Sequence, residues 1–184
     1  MKNIFEVHGY KAFDSNCCNR HGIYFEAGKT YSAIGNISFG VQSTAGFHMC
    51  KNMEDTFRYV DADEEEVEIA EVTGRGNIVA RNDEYYGYFD MYAVEEITIE
   101  RFLSRDEIIN YFLFGENVNE DRVCRMLQTF KIGAEEIEQF RERYGTNENI
   151  ITYLEYYQIG DKTAFERRNQ YQKRINRQWK TGLN

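Results

Sequence analysis

The stretch Gly46-Phe47-His48-Met49-Cys50-Lys51-Asn52-Met53-Glu54-Asp55-Thr56-Phe57-Arg58-Tyr59 decides how the first half of the chain is read. Phe47 and Met49 alternate with His48 and Cys50 as they would on a short strand, and Phe57 follows Met53 by four residues, as on one helix face. The pattern predicts a strand, a turn at Lys51-Asn52 and a short helix. It places a His and a Cys at a strand end just before a helix start, a junction where α+β domains commonly carry sites.

Outward from this stretch, the first hundred residues read as strands and turns. Asn3 to Phe13 carries Ile4, Phe5, Val7, Tyr10 and Phe13, and Ile23-Tyr24-Phe25 precedes a turn at Ala27-Gly28-Lys29 and then Thr30-Tyr31. Val67, Ile69 and Val72 lie among Glu68 and Glu71, and Tyr92, Val94, Ile97 and Ile99 among Glu95, Glu96, Thr98 and Glu100. Both segments predict half-buried strands. Gly74-Arg75-Gly76-Asn77 and Asn82-Asp83-Glu84 read as the turns between them.

The pattern changes after Leu103. Ser104-Arg105-Asp106-Glu107 is a capping box that opens a helix carrying Ile108, Ile109, Phe112 and Leu113. Further apolar stripes follow at Val123, Met126, Leu127 and Phe130, at Ile137, Phe140 and Tyr144, and at Ile150, Ile151, Leu154 and Tyr157. Gly133, Gly145 and Gly160 read as helix-terminating glycines. A basic helix from about Lys162 to Trp179 closes the chain. The expected fold class is therefore α+β: a mostly antiparallel β-sheet domain with one or two short helices over residues 1–103, then a helical domain over 104–184.

Composition narrows the function classes. With 184 residues, 42% hydrophobic and 15% aromatic, the chain is too apolar to be disordered despite a net charge of −9. No apolar run approaches the ~20 residues that cross a bilayer, and no signal peptide is apparent, so a cytoplasmic protein with reduced cysteines is expected. Between Glu54 and Glu71 nine acids stand against one base, Arg58, a local balance of −8; between Asp161 and Asn184 seven bases stand against two acids, a balance of +5. Residues 1–160 then carry −14. A division of this kind guides an oriented encounter with a partner.

Several pieces occur in order: Gly9-Tyr10-Lys11-Ala12-Phe13, then Cys18 before Phe25-Glu26-Ala27-Gly28-Lys29-Thr30-Tyr31, then Gly46-Phe47-His48-Met49-Cys50 with Asp55 and Tyr59 after it. Together they resemble an uncharacterised domain family found in bacteria and their phages. The resemblance covers the first hundred residues and implies a small α+β domain in a phage or prophage setting, without an established activity. The order of elements also looks somewhat like that of ADP-ribosyltransferases, which cradle NAD. That likeness implies His8 or Lys11, Tyr59, and Glu95 or Glu96 as matching positions. The sequence departs from it in having no well-placed early Arg and no Gln/Glu-x-Glu triplet in the final strand, and fold order does not carry function.

Four sets of residues carry candidate chemistry. Cys18, His21, His48 and Cys50 supply the N and S donors of a tetrahedral zinc site if their two segments pair, although they lack paired Cys-x-x-Cys knuckles; packed core or turn residues are the competing reading. His48 as a general base with Cys50 or Cys18 as nucleophile is a second reading: His48 and Cys50, two apart on a strand, share a face, with no third group placed to orient the His. His48, Tyr59, Glu95 and Glu96 are thus the catalytic candidates. No cofactor is expected, zinc and NAD being the two that the residue types would admit.

The other two sets are surfaces. Asp61, Asp63, Glu64, Glu65, Glu66 and Glu68, with Tyr85, Tyr86 and Tyr88, have the residue types of a partner-binding surface, the bland alternative being a solvated loop and tyrosines that fill the core. Arg167, Arg168, Lys173, Arg174, Arg177 and Lys180 suit nucleic acid or, in an acidic molecule, the protein's own acidic surface within one chain or across a homodimer. The sequence thus points to a phage or mobile-element accessory protein that binds a host protein and inhibits a defence system such as a CRISPR nuclease, with no role at a membrane. An ADP-ribosyltransferase-like enzyme and a nucleic-acid-binding regulator are the alternatives.

Overall fold

The computed structural model describes residues 6–13, 24–35, 37, 46–59, 67–82, 90–116 and 118–160. Strands β1 (Glu6–Phe13), β2 (Thr30–Ser32) and β3 (Phe47–Cys50) precede a 3-10 helix, Met53–Arg58. Two long strands follow, β4 (Glu68–Asn82) and β5 (Asp90–Phe102), and then α1 (Arg105–Phe114), α2 (Glu120–Thr129), α3 (Ala134–Tyr144) and α4 (Glu148–Tyr153). The chain is α+β, an antiparallel five-stranded sheet followed by short helices, and the strand, turn and helix expected over Gly46–Tyr59 are all present. It divides into two compact units, Met1–Phe112 and Leu113–Asn184. Most of α1, which starts at the Ser104 cap, belongs to the first.

In the first unit the sheet closes on itself. β1 pairs with β3 and with β4, and β5 pairs with both of them as well, so these four strands form a ring to which β2 is added along β5. Every pairing is antiparallel. Val7, Met49, Val72, Val94 and Ile97 face the interior, where they pack with Phe13, Phe25 and Ile99. Phe25 is the hub of the aromatic part, with its ring centroid 5.0 Å from that of Phe13, 4.7 Å from Tyr31 and 6.1 Å from Phe47.

Two interior glycines make the tight ring possible. A Cβ at Gly9 would lie 2.2 Å from the Cys50 carbonyl oxygen, and one at Gly74 would lie 2.5 Å from Val94 Cγ1 and 3.1 Å from Val7 Cγ2. Any other residue at Gly9 would push β1 away from β3 where Tyr10 faces Cys50.

The strands also carry two irregularities. Gly74-Arg75-Gly76-Asn77, expected as a turn between strands, lies inside β4, which runs unbroken for 15 residues. The register passes from Arg75↔Glu96 to Ile78↔Val94, so Gly76 and Asn77 together face Glu95. Gly76, at φ +79°, supplies the left-handed residue of a bulge, which bends the strand without ending it. The second irregularity is in β5: Glu71 faces Arg101 while Val72 faces Ile99, leaving Glu100 as the extra residue.

The capping box forms as expected. Glu107 N donates to Ser104 Oγ at 3.2 Å, and Ser104 N donates to Glu107 Oε2 at 2.8 Å. These bonds and the neighbouring Arg101 hold the Glu107 carboxyl below the ordinary carboxylate range. From there α1 buries Ile108, Ile109 and Phe112, with Phe112 edge-on to Phe57 of the 3-10 helix at 5.4 Å.

In the second unit α2 buries Val123, Met126 and Leu127, and α3 buries Phe140 stacked on Tyr144. Gly133 initiates α3 as its N-cap and does not terminate the preceding helix, which ends at Thr129 before an extended Phe130. Gly160, at φ +82°, ends the last of the described helices in the expected left-handed way after α4 has widened into a π-helical segment, Leu154–Ile159. That widening presents Gln158 to the end of α2, where its Nε2 donates to Leu127 O at 2.6 Å and Phe130 O at 3.1 Å and its Oε1 accepts from Ile132 N at 3.1 Å. The basic segment from Lys162 onward lies outside the described residues.

Gly9→Ala is expected to lower unfolding stability by about 2–3 kcal/mol, because backbone must move to admit the methyl group. Gly28→Ala meets open space at φ +78° and costs about 1 kcal/mol of backbone strain alone. Urea denaturation of the two variants checks the order; equal losses would remove the ring contact from the explanation.

Candidate functional site

The described cavity of note in the first unit is an open groove of about 320 Å3 on the outer side of the ring. Strands β1 and β4 form its floor in the register His8↔Thr73 and Tyr10↔Glu71. Lys51, just after β3, contributes on the β3 side of β1, and Glu100 of the β5 bulge contributes on the β5 side of β4. His8 is held on both sides: Nδ1 is 3.0 Å from Thr73 Oγ1 and Nε2 is 3.1 Å from Glu6 Oε1. Glu6 in turn accepts from Arg75 Nε at 2.6 Å, an exposed pairing that lowers the pKa of its carboxyl.

Glu71 is committed as well, accepting two bonds from Arg101, at 2.9 Å from Nε and 2.8 Å from Nη2, while Arg101 Nη1 donates to Glu107 at 2.6 Å. Beyond Tyr10 the 3-10 helix buries Glu54 and Asp55, which are 9% and 2% exposed. Tyr111 Oη donates to Glu54 Oε2 at 3.2 Å, and burial together with the Glu54 charge pushes the Tyr111 hydroxyl pKa up, so it remains a donor. Asn52 Nδ2 donates to Asp55 Oδ2 at 3.3 Å.

The Gly46–Tyr59 stretch divides between the two sides of the sheet. Phe47 and Met49 join the interior cluster, whereas Cys50 packs with Met91 on the outer side, the side that alternation gives His48 too. Burial, with the Lys11 ammonium as a smaller cause, lowers the His48 pKa. Lys11 Nζ donates to the His48 carbonyl at 3.1 Å. Tyr59 Oη donates to Met91 Sδ at 2.6 Å, and its pKa is raised chiefly by burial, so the phenol is held protonated.

A family model described as "Domain of unknown function (DUF7666)" matches residues 7–110, more than half of the chain. The chain belongs to this family. The matched region runs from the second residue of β1 into α1 and so contains all of the ring but Glu6, and every residue named as lining the outer groove. No curated protein and no solved structure matches the chain.

Within this domain the catalytic candidates occupy separate places. Glu95 Oε2 accepts from Asn77 N at 2.9 Å and Asn77 Nδ2 at 2.8 Å, which engages it in the β4 bulge. Glu96 accepts from Ser32 Oγ at 3.4 Å on the β2 side. The Tyr59 hydroxyl is at Met91, and Glu96 follows Met91 by five residues along β5, about 17 Å at strand rise. His8 is in the groove. Of the proposed zinc set, His48 and Cys50 are on β3 while Cys18 and His21 lie outside the described residues; among those described, no group of three or more His, Cys, Asp and Glu side chains is placed to hold a metal. Asp61, Asp63, Glu64, Glu65, Glu66, Tyr85, Tyr86 and Tyr88 also lie outside, as do Arg167, Arg168, Lys173, Arg174, Arg177 and Lys180; Glu68 opens β4 opposite Phe13. No helix among the described residues is long and apolar enough to cross a membrane.

Sequence reasoning missed Tyr10, Glu71, Thr73 and Glu100 as one lining. The spacing of Tyr10 from His8 carries part of that signal, since residues two apart on a strand share a face. Glu100 carries none, because the bulge breaks the alternation that would have placed it.

Two outcomes are expected. A His whose folded pKa is depressed is protonated first in the unfolded chain, so the stability that neutral His48 confers is lost as pH falls below about 6.5. Urea midpoints at pH 7.5 and 5.5 should therefore converge in His48→Gln relative to the parent. Glu95→Ala should cost about 1–2 kcal/mol by urea denaturation through the freed Asn77 amide, with β-sheet circular dichroism retained.

Proposed function

We propose that the protein acts by binding, as a phage or mobile-element accessory protein that works in the bacterial cytoplasm and covers a basic surface of a host defence nuclease, a CRISPR effector being the type case. The observation that carries this reading is the acidic segment after the 3-10 helix. Of its nine acids, Glu54 and Asp55 are buried and Glu71 is held by Arg101. In this reading the partner-binding acids are Asp61, Asp63, Glu64, Glu65, Glu66 and Glu68. A run of carboxylates competes with nucleic-acid phosphates for the same Lys and Arg groups, and Tyr85, Tyr86 and Tyr88 supply contact area at low entropic cost.

The distance along β5 between the Tyr59 contact and Glu96 weighs against the NAD-using alternative, which needs its aromatic and acidic groups around one nicotinamide.

The test is displacement of labelled guide–target duplex from a panel of purified CRISPR effector complexes. Displacement is expected at low salt, weakening as ionic strength rises, and the triple variant E64K/E65K/E66K should require about tenfold more protein. Failure to displace from every complex, together with a rise in melting temperature on adding NAD, would overturn the proposal in favour of the enzyme.

A further inference from the structure

The groove contains hydrogen-bonding capacity that the fold leaves unused. His8 is spent on Glu6 and Thr73, and both oxygens of Glu71 are spent on Arg101. Tyr10 and Glu100 differ from them. Both line the groove, and among the described residues neither the Tyr10 hydroxyl nor the Glu100 carboxylate takes part in a hydrogen bond or ion pair.

Glu100 is there because of the β5 bulge. Its neighbours show what the bulge does: Ile99 is buried in the interior, and Arg101 reaches Glu71 on the outer side. Without the extra residue, strict alternation after Ile99 would give the outer side to residue 100 alone and send residue 101 inward. With it, two consecutive charged side chains are delivered outward. Arg101 neutralises Glu71, so the carboxylate beside this pair remains available.

The ring of Tyr10 lies on the same floor, opposite Glu71. Tyr10 and Glu100 line the same groove from the two sides of β4, and a carboxylate and a phenol that among the described residues have no bonding partner suit a delocalised cation: the carboxylate takes a guanidinium through paired N–H bonds, the ring face attracts it, and the hydroxyl accepts a further bond. A volume of about 320 Å3 admits such a side chain.

We propose that this groove receives an arginine side chain presented by the protein partner, with Glu100 accepting the guanidinium and Tyr10 covering it. The proposal rests on the binding role given above and names its anchor.

The experiment is a titration of the full chain, isotopically labelled, with the capped peptide acetyl-Gly-Arg-Gly-amide, followed by amide chemical shifts. Saturable shifts are expected at Tyr10, Glu71, Thr73 and Glu100 in the millimolar range, and none with the citrulline analogue, which keeps the shape and removes the charge. Glu100→Gln and Tyr10→Phe should each weaken binding about fivefold, whereas Glu26→Gln, an equal loss of charge at the exposed Lys29 pair, should leave it unchanged. Shifts that do not saturate, that gather over residues 61–68, or that survive Glu100→Gln unchanged would overturn the proposal. Nuclease displacement unaffected by Glu100→Gln would remove the groove and leave the binding role standing; peptide capture without any displacement would do the reverse.

Discussion

The approach of β1 to β3 at Gly9 and Cys50 is the constraint on which the first unit depends. A Cβ at Gly9 would stand 2.2 Å from a carbonyl oxygen of the neighbouring strand. Because that space is empty, four strands join into a ring around an apolar interior, and each of the four has a partner strand on both sides. Gly74 does the same service across the ring, where Val7, Met49 and Val94 meet. Ring closure also explains why the outer surface is polar over much of its area: the apolar side chains have an inside to occupy, and Glu6, His8, Thr73, Arg75 and Thr98 are left to bond with one another.

What could be read from the sequence was local. Phe47 and Met49 against His48 and Cys50 gave a strand, Met53 and Phe57 a helical turn, and Ser104 with Glu107 a helix start, because each rests on contacts within a few residues. The ring itself depends on pairings such as His8 with Thr73, 65 positions apart, and no periodicity encodes them. Gly74-Arg75-Gly76-Asn77 misled for a related reason. Two glycines and an Asn are the composition of a turn, and the same left-handed Gly76 serves a bulge equally well once Glu95 is across the strand to bond Asn77. Gly133 shows the matching ambiguity in the helical unit: without a side chain it suits either end of a helix, and Glu136 reaching back to its N–H makes it a beginning.

The candidate site was legible only in part. His8 was named from a likeness in the order of elements, and the structure places its ring nitrogens 3.0 Å from Thr73 Oγ1 and 3.1 Å from Glu6 Oε1. Glu95 and Glu96 were named from an order of elements, and side-chain geometry assigns both to the sheet. The groove residues emerge only when strands distant in sequence are brought side by side, which also explains why a surface defined by Tyr10 and Glu100 leaves no linear motif.

The closed ring bears on how the chain comes off the ribosome. β1 is made first, yet its main partner β4 begins at Glu68, and β5, which pairs with both β3 and β4, ends only at Phe102. Until then Val7 and Phe13 have no interior to enter. The contacts of β1 with β3 and β4 are thus long-range in sequence, and topologies closed by such pairings fold slowly. The nascent segment must stay unpaired, or be shielded, while some ninety residues follow it. A truncation before β5 would accordingly yield no smaller version of the domain, because removing that strand opens the ring at two seams together.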